Sequence, residues 1–174
     1  KKINSSHEVN MYNLILKTLD KQNHFAPYYG GNSCYDYDAV FMLIFLSESQ
    51  NSFKNNVYKI LDKVSENVVK EINIDGGFSD SKFIRPKKLN NLIFQILFLL
   101  NSKNIYIFLK RLRFFITLQR KKYDKIETQF HNRKRDWSES NLWDTWFRVL
   151  LLAKIDNFRN NHNWNFIKFP GLGS

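Results

Sequence analysis

The sequence predicts an all-α protein built from three stacked helical hairpins. Three observations carry that expectation. Three apolar runs, 39–46, 92–99 and 145–152, are too long for typical strands, lack strict alternation and have no hairpin turns between them. The runs share one register: Phe41, Phe94 and Phe147 recur at a spacing of 53 residues, and Leu43, Ile96 and Val149, then Leu46, Leu99 and Leu152, coincide with them. Finally, only six Gly and three Pro interrupt 174 residues, which suits helices better than a turn-rich sandwich.

Six helices are expected, near 8–20, 36–49, 53–72, 88–102, 104–120 and 139–156, paired as hairpins over about 8–49, 53–102 and 104–156 within one domain, 1–174. The second, fourth and sixth are apolar nearly all round, as buried inner helices are. The first and third are more amphipathic and obey the same period: Ile15-Leu16-Lys17 matches Val68-Val69-Lys70, Leu19 matches Ile72, and Phe25 matches Phe78. The fifth, centred on 108–119, fits the register only if 120–135 carries an insertion. Asp36, Asn90 and Ser138 or Ser140 are the expected N-caps, because their side-chain oxygens accept orphan backbone N–H groups. Asp75-Gly76-Gly77 ends the third helix, since Gly accepts the left-handed geometry of a helix terminus. Each unit buries its neighbour's face, so three units leave two raw ends. Missing upstream repeats, expected because the chain opens on Lys1-Lys2-Ile3 without Met, or a homo-oligomer partner would cover them.

Composition narrows the function. A hydrophobic fraction of 43% rules out a disordered chain. The single Cys34 excludes a disulfide framework and a Cys-based zinc site. No apolar run reaches the ~18 residues that span a bilayer, and no signal-peptide pattern follows the first residues, so no membrane partner and a cytoplasmic setting are expected. A net charge of +11 invites nucleic acid. The positive charge reads as dispersed, however, apart from Lys110–Arg113, Arg120–Lys122 and Arg133–Arg135, and nucleic acid is disfavoured. An anionic small molecule or acidic glycan would use the same field. No cofactor is expected. No metal is expected either: Asp36-x-Asp38 with Glu139 offers too few oxygen ligands for Ca²⁺.

Three segments resemble a known family. Gly30-Gly31-Asn32-Ser33-Cys34-Tyr35-Asp36-Tyr37-Asp38-Ala39 is similar to a Gly-Gly-x-x-Cys-x-Asp-x-Asp-Ala segment, Asp75-Gly76-Gly77-Phe78 to a recurrent turn, and Glu139-Ser140-Asn141-Leu142-Trp143-Asp144-Thr145-Trp146-Phe147-Arg148 to a Glu-Ser-Asn-Leu-x-x-Thr-Trp-Phe-Arg signature. The first and last resemble a bacterial family of the terpenoid cyclase/protein prenyltransferase-like α/α-toroid superfamily, and the turn resembles one that recurs across that superfamily. The resemblance spans residues 30–148, and its last segment is the most specific. It implies three hairpins of an α/α toroid, half of an α6/α6 barrel, and a setting in polysaccharide metabolism. The sequence lacks the Asp-x-Asp-Asp motif and Gln-Trp repeats of cyclases and the Asp, Cys and His zinc set of prenyltransferases, which argues against an isoprenoid substrate.

In a toroid the loops entering the inner helices, here 28–38, 78–90 and 131–144, gather at one mouth, the natural place for a site. The catalytic candidates are Asp36, Asp38 and Glu139, carboxylates able to act as acid and base, with their separation deciding the hydrolytic geometry. Each also has a structural reading: Asp36 and Asp38 as a cap and a charge at a helix N-terminus, and Glu139 as a cap or a partner of Arg148 or Arg135. Arg148 interrupts an apolar helix, and a buried Arg needs an anion. That anion is Asp144 or Asp38 in one reading, and a substrate carboxylate or sulfate in the other. Asn141 joins Arg148 as a substrate-binding candidate. Trp137, Trp143 and Tyr35, with Tyr28 nearby, are candidate sugar platforms, while Trp146 suits the core better. His131 with Tyr123 offers a lyase base or is simply solvated, and Cys34 lacks a nearby His. The leading expectation is a toroid domain that binds or acts on a glycan, with a polysaccharide lyase or glycoside hydrolase-like activity. The alternatives are a non-catalytic scaffold binding a protein partner through its apolar ends, and a terpenoid cyclase/prenyltransferase-like enzyme.

Overall fold

The computed structural model describes residues 5–26, 29–80, 89–102, 104–120, 124–127, 132–135 and 139–160. They form six helices: α1 (Ser5–Leu16), α2 (Ser33–Ser49), α3 (Asn51–Lys70), α4 (Leu89–Leu100), α5 (Ile105–Arg120) and α6 (Leu142–Phe158). A two-stranded antiparallel ribbon, β1 (Asp124–Glu127) with β2 (Asn132–Arg135), lies within the stretch expected to be an insertion. The helical class is as expected. No described helix is long and apolar enough to cross a membrane.

The caps move from where the sequence suggests. Asn32 caps α2 from an extended backbone, φ −154° and ψ 148°, its side chain accepting the Cys34 N–H. Asn141 does the same for α6, accepting the Asp144 N–H. Asp36 and Asp144 therefore fall inside the first turn, where a carboxylate meets the positive end of the helix dipole. Asn90 lies within α4, and Ser138 lies outside the described residues.

The body of the molecule is α2 packed on α1, α3 and α6, with α3 closing onto α6. Val57, Leu61, Val64 and Val68 form a single stripe at helical spacing along α3, and it is wholly buried. Val40, Leu43 and Ile44 of α2 and Leu150, Leu151 and Ile155 of α6 meet it, completed by Phe25 and Phe78 from the connecting loops. Tyr12 of α1 stacks on Phe53 of α3, ring centroids 4.2 Å apart.

α1 packs on α2. α3, however, packs on α2 and α6, while α4 and α5 pack on each other and on no other helix among those described. The cause lies in the turn after α3. Gly76 takes φ 80°, and the chain then binds the start of α6: the Asn141 N–H donates to the Phe78 carbonyl at 3.1 Å, and the Phe78 N–H donates to Thr145 Oγ1 at 2.9 Å. Ser140 Oγ adds a bond to Asp75 at 2.7 Å. In sequence α4, α5 and the ribbon are thus an excursion between residues 80 and 139 of the body, and α4 touches the α1–α2 loop, Phe94 and Phe98 lying 6.2 and 6.3 Å from the Tyr29 ring. The three phenylalanines reflect this. Phe41 and Phe147 flank one ring, Tyr37, at 6.2 and 5.8 Å, whereas Phe94 faces Tyr29 at 6.2 Å.

The part of this stretch that precedes the ribbon concentrates the charge that reads as dispersed along the sequence. Residues 81–123 hold eleven of the 27 Lys and Arg and none of the 16 Asp and Glu. The rest of the chain is balanced, sixteen against sixteen, so this one segment carries the whole net charge of +11.

Candidate functional site

The site begins with the loop between α1 and α2. The buried Asp20 carboxylate organises it, accepting the N–H groups of Gln22 at 2.8 Å and His24 at 3.0 Å on one oxygen and of Gly30 at 2.7 Å on the other. Burial pushes the Asp20 carboxyl up despite these bonds. Asn23 takes a left-handed conformation, φ 58°, so that the loop turns back. Gly31, at φ 66°, passes so close that a Cβ there would lie 2.4 Å from His24 Cβ. Together they drive the His24 side chain into the interior.

There it meets two carboxylates. His24 Nδ1 is 2.8 Å from Asp36 Oδ2 of α2, and Nε2 is 2.7 Å from Glu71 Oε1 just past α3. A ring with both nitrogens on carboxylates is an imidazolium, since only that form donates twice. Burial alone pulls its pKa down, but the Asp36 charge, reinforced by Glu71, outweighs burial and raises it to about 10. Asp36 also accepts the Phe25 N–H at 2.5 Å and an Nη1 hydrogen bond from Arg148 of α6. Burial would raise its pKa, yet Arg148 and His24 hold it below the usual range. Arg148 Nη2 lies 3.6 Å from Glu71 Oε2, and Nε and Nη2 make no hydrogen bond among the described residues. Burial opposes the guanidinium charge, and Asp36 and Glu71 outweigh it. His24, Asp36 and Arg148 are all 0% exposed. Two cations and two carboxylates thus form a compensated tetrad tying the α1–α2 loop, α2, α3 and α6 together.

A second polar cluster joins the adjacent N-termini of α2 and α6. Ser33 Oγ donates to Asp144 at 2.5 Å, Asn141 Nδ2 donates to the other Asp144 oxygen, and Asn32 Nδ2 donates to Asp80. Cys34 Sγ lies 2.7 Å from Asn32 Oδ1, and burial raises its thiol pKa.

The residues nominated by the sequence are thereby sorted. Asp36 and Arg148 come together as an internal ion pair, with Asp36 and Glu71 rather than Asp38 as the Arg148 partners. Asp144 adds only its field. Asn141 is a cap. Asp38 points away from Asp36, as the spacing requires, and lines a shallow apolar concavity of about 260 Å³ between α1 and α2 with Leu14, Ile15, Tyr35 and Met42. Burial raises its carboxyl pKa. Glu139 is half-buried ahead of α6. Tyr35 is 46% and Trp143 65% exposed, Trp143 packing edge-on against Phe147 at 5.0 Å. Trp146 is exposed rather than in the core. Trp137, Tyr28, Tyr123 and His131 lie outside the described residues.

Sequence reasoning missed His24 and Glu71. The available signal was Arg148 itself: a cation in an apolar helix demands carboxylates from other elements, and Glu71 closes the helix whose face meets α6. Among the described residues no group of three or more His, Cys, Asp or Glu is arranged to hold a metal ion. No protein-family model, curated protein or solved structure matches the chain.

Proposed function

We propose that the chain is a helical interaction module, whose body holds out the α4–α5 excursion for a partner. One observation carries this reading: the exposed apolar side chains of the excursion. Leu89, Ile93, Ile96, Leu97 and Leu100 occupy one stripe of α4 and are all exposed, and Ile105, Leu109 and Ile116 occupy one stripe of α5 and are exposed too. An apolar surface this continuous marks an interaction site on a folded protein. The polar residues nominated for chemistry favour the same reading, because Asp36, Arg148 and Asn141 are spent on holding helices together.

The test replaces the α4 stripe with Ile93→Asn, Leu97→Asn and Leu100→Gln. As surface residues these should leave helical circular dichroism and Tm unchanged while sharply reducing the fluorescence of a bound apolar-surface dye. Loss of several kcal/mol of stability would make the stripe core and end the proposal.

A glycan-binding reading is favoured separately by the Tyr35–Asp38 concavity and the exposed Trp143, since aromatic faces beside a carboxylate suit a sugar. Depolymerisation of a uronate polysaccharide by the chain, lost in Asp38→Asn, would replace the module with an enzyme. The toroid relationship is likewise a proposal. It is supported by the resemblance of three segments, at the start of α2, the exit of α3 and the start of α6, whose residues bond to one another.

A further inference from the structure

Resting on the interaction-module reading, we infer that the partner of the α4–α5 hairpin is an anionic membrane surface, on which the hairpin lies flat. Interfacial binding needs an apolar face that enters the headgroup boundary and cations that meet lipid phosphates. The α4–α5 hairpin supplies both, and its two helices lack what would oppose them. Its exposed aliphatic stripes share the hairpin with three cations of α5, Lys110, Arg111 and Arg113, and neither α4 nor α5 contains a carboxylate to be repelled or desolvated. Lys110 and Arg113 are exposed on α5. Arg111 serves a different purpose: it lies over the Phe98 ring, 4.7 Å from the centroid, and bonds Ser102 at 2.9 Å, fastening α5 to α4 so that the hairpin is preorganised.

Length decides between lying on the bilayer and crossing it. α4 has 12 residues and α5 has 16, about 18 and 24 Å of helix, short of a ~30 Å hydrocarbon core. Nucleic acid fits less well. Phosphates would satisfy the cations, but the α4 stripe would gain nothing from a duplex and would stay in water.

The full chain is to be floated with phosphatidylcholine vesicles, with and without phosphatidylglycerol. Binding is expected only to the anionic vesicles, and it should weaken as salt rises. Lys110→Gln and Arg113→Gln should each lower vesicle affinity about fivefold. Leu97→Asn with Leu100→Gln should lower it at least as much, with circular dichroism unchanged. Absence of anionic-vesicle binding overturns the inference, as does binding indifferent to the Leu97 and Leu100 changes. Duplex DNA or RNA binding that survives those changes, with no vesicle binding, would assign the charge to nucleic acid. A dimer abolished by Leu97→Asn, again with no vesicle binding, would overturn the membrane partner and leave the module intact. Indifference of every association to both variant sets would sink the module reading as well.

Discussion

Raising the pH should unfasten the buried tetrad, and the stability lost should be large enough to measure. His24 carries a pKa of about 10 in the folded protein against an ordinary 6.5, because Asp36 and Glu71 outweigh its burial. Below pH 6.5 the folded and unfolded chains both hold the proton, so the stabilisation is fully present. Above it the unfolded chain releases the proton while the folded chain keeps it. Each pH unit then costs about 1.4 kcal/mol until the folded value is reached. Between pH 6.5 and about 9.5 the loss is on the order of 4 kcal/mol, a large share of a typical total of about 5–15 kcal/mol. It corresponds to a fall in Tm of roughly 10 °C for a chain of this size. Other groups titrate too, so urea unfolding should be followed by circular dichroism in wild type and in His24→Gln across the range. The difference between the two curves isolates the imidazolium. It should fall by about 1.4 kcal/mol per pH unit above pH 7. A difference that is flat from pH 7 to 9, or that rises, would mean a neutral His24 and would refute the charge assignment.

Three further outcomes follow from the same region. Arg148→Met leaves Asp36 and Glu71 buried without their guanidinium and should cost about 3–5 kcal/mol in urea unfolding. Adding Asp36→Asn should cost less than the sum of the single changes, because the two share one interaction. Gly31→Ala puts a Cβ 2.4 Å from His24 Cβ at a left-handed φ of 66° and should cost about 2–3 kcal/mol, with the His24 ring resonances shifted. Cys34, with its thiol raised by burial and bonded to Asn32, should react with iodoacetamide at neutral pH at least about tenfold more slowly than free cysteine, and normally once urea unfolds the chain.

Helix positions were legible because they rest on local patterning. The α3 stripe at Val57, Leu61, Val64 and Val68 is written in the sequence, and so are the apolar runs that became α2, α4 and α6. Pairing was not legible, because a 53-residue register gives equivalent positions without saying which helices touch. The hydrogen bonds that Phe78 accepts from Asn141 and donates to Thr145 decide that, and nothing local in Phe78 announces them. The caps failed for a smaller reason: α2 is capped by Asn32, four residues before the expected Asp36, and α6 by Asn141, just after the expected Ser138 or Ser140. Asp36 and Arg148 were found as unusual residues, but their roles depended on His24 and Glu71, which come from two other elements. The charge of the excursion stood in the sequence throughout.

The bond between Phe78 and Asn141 has an evolutionary consequence. It closes the four-helix body upon itself, so whatever lies between its two ends can lengthen, shorten or change its chemistry with little effect on the rest. The entropy of closing a longer segment rises only slowly with its length. The body therefore tolerates change in the inserted stretch as a handle tolerates a change of tool.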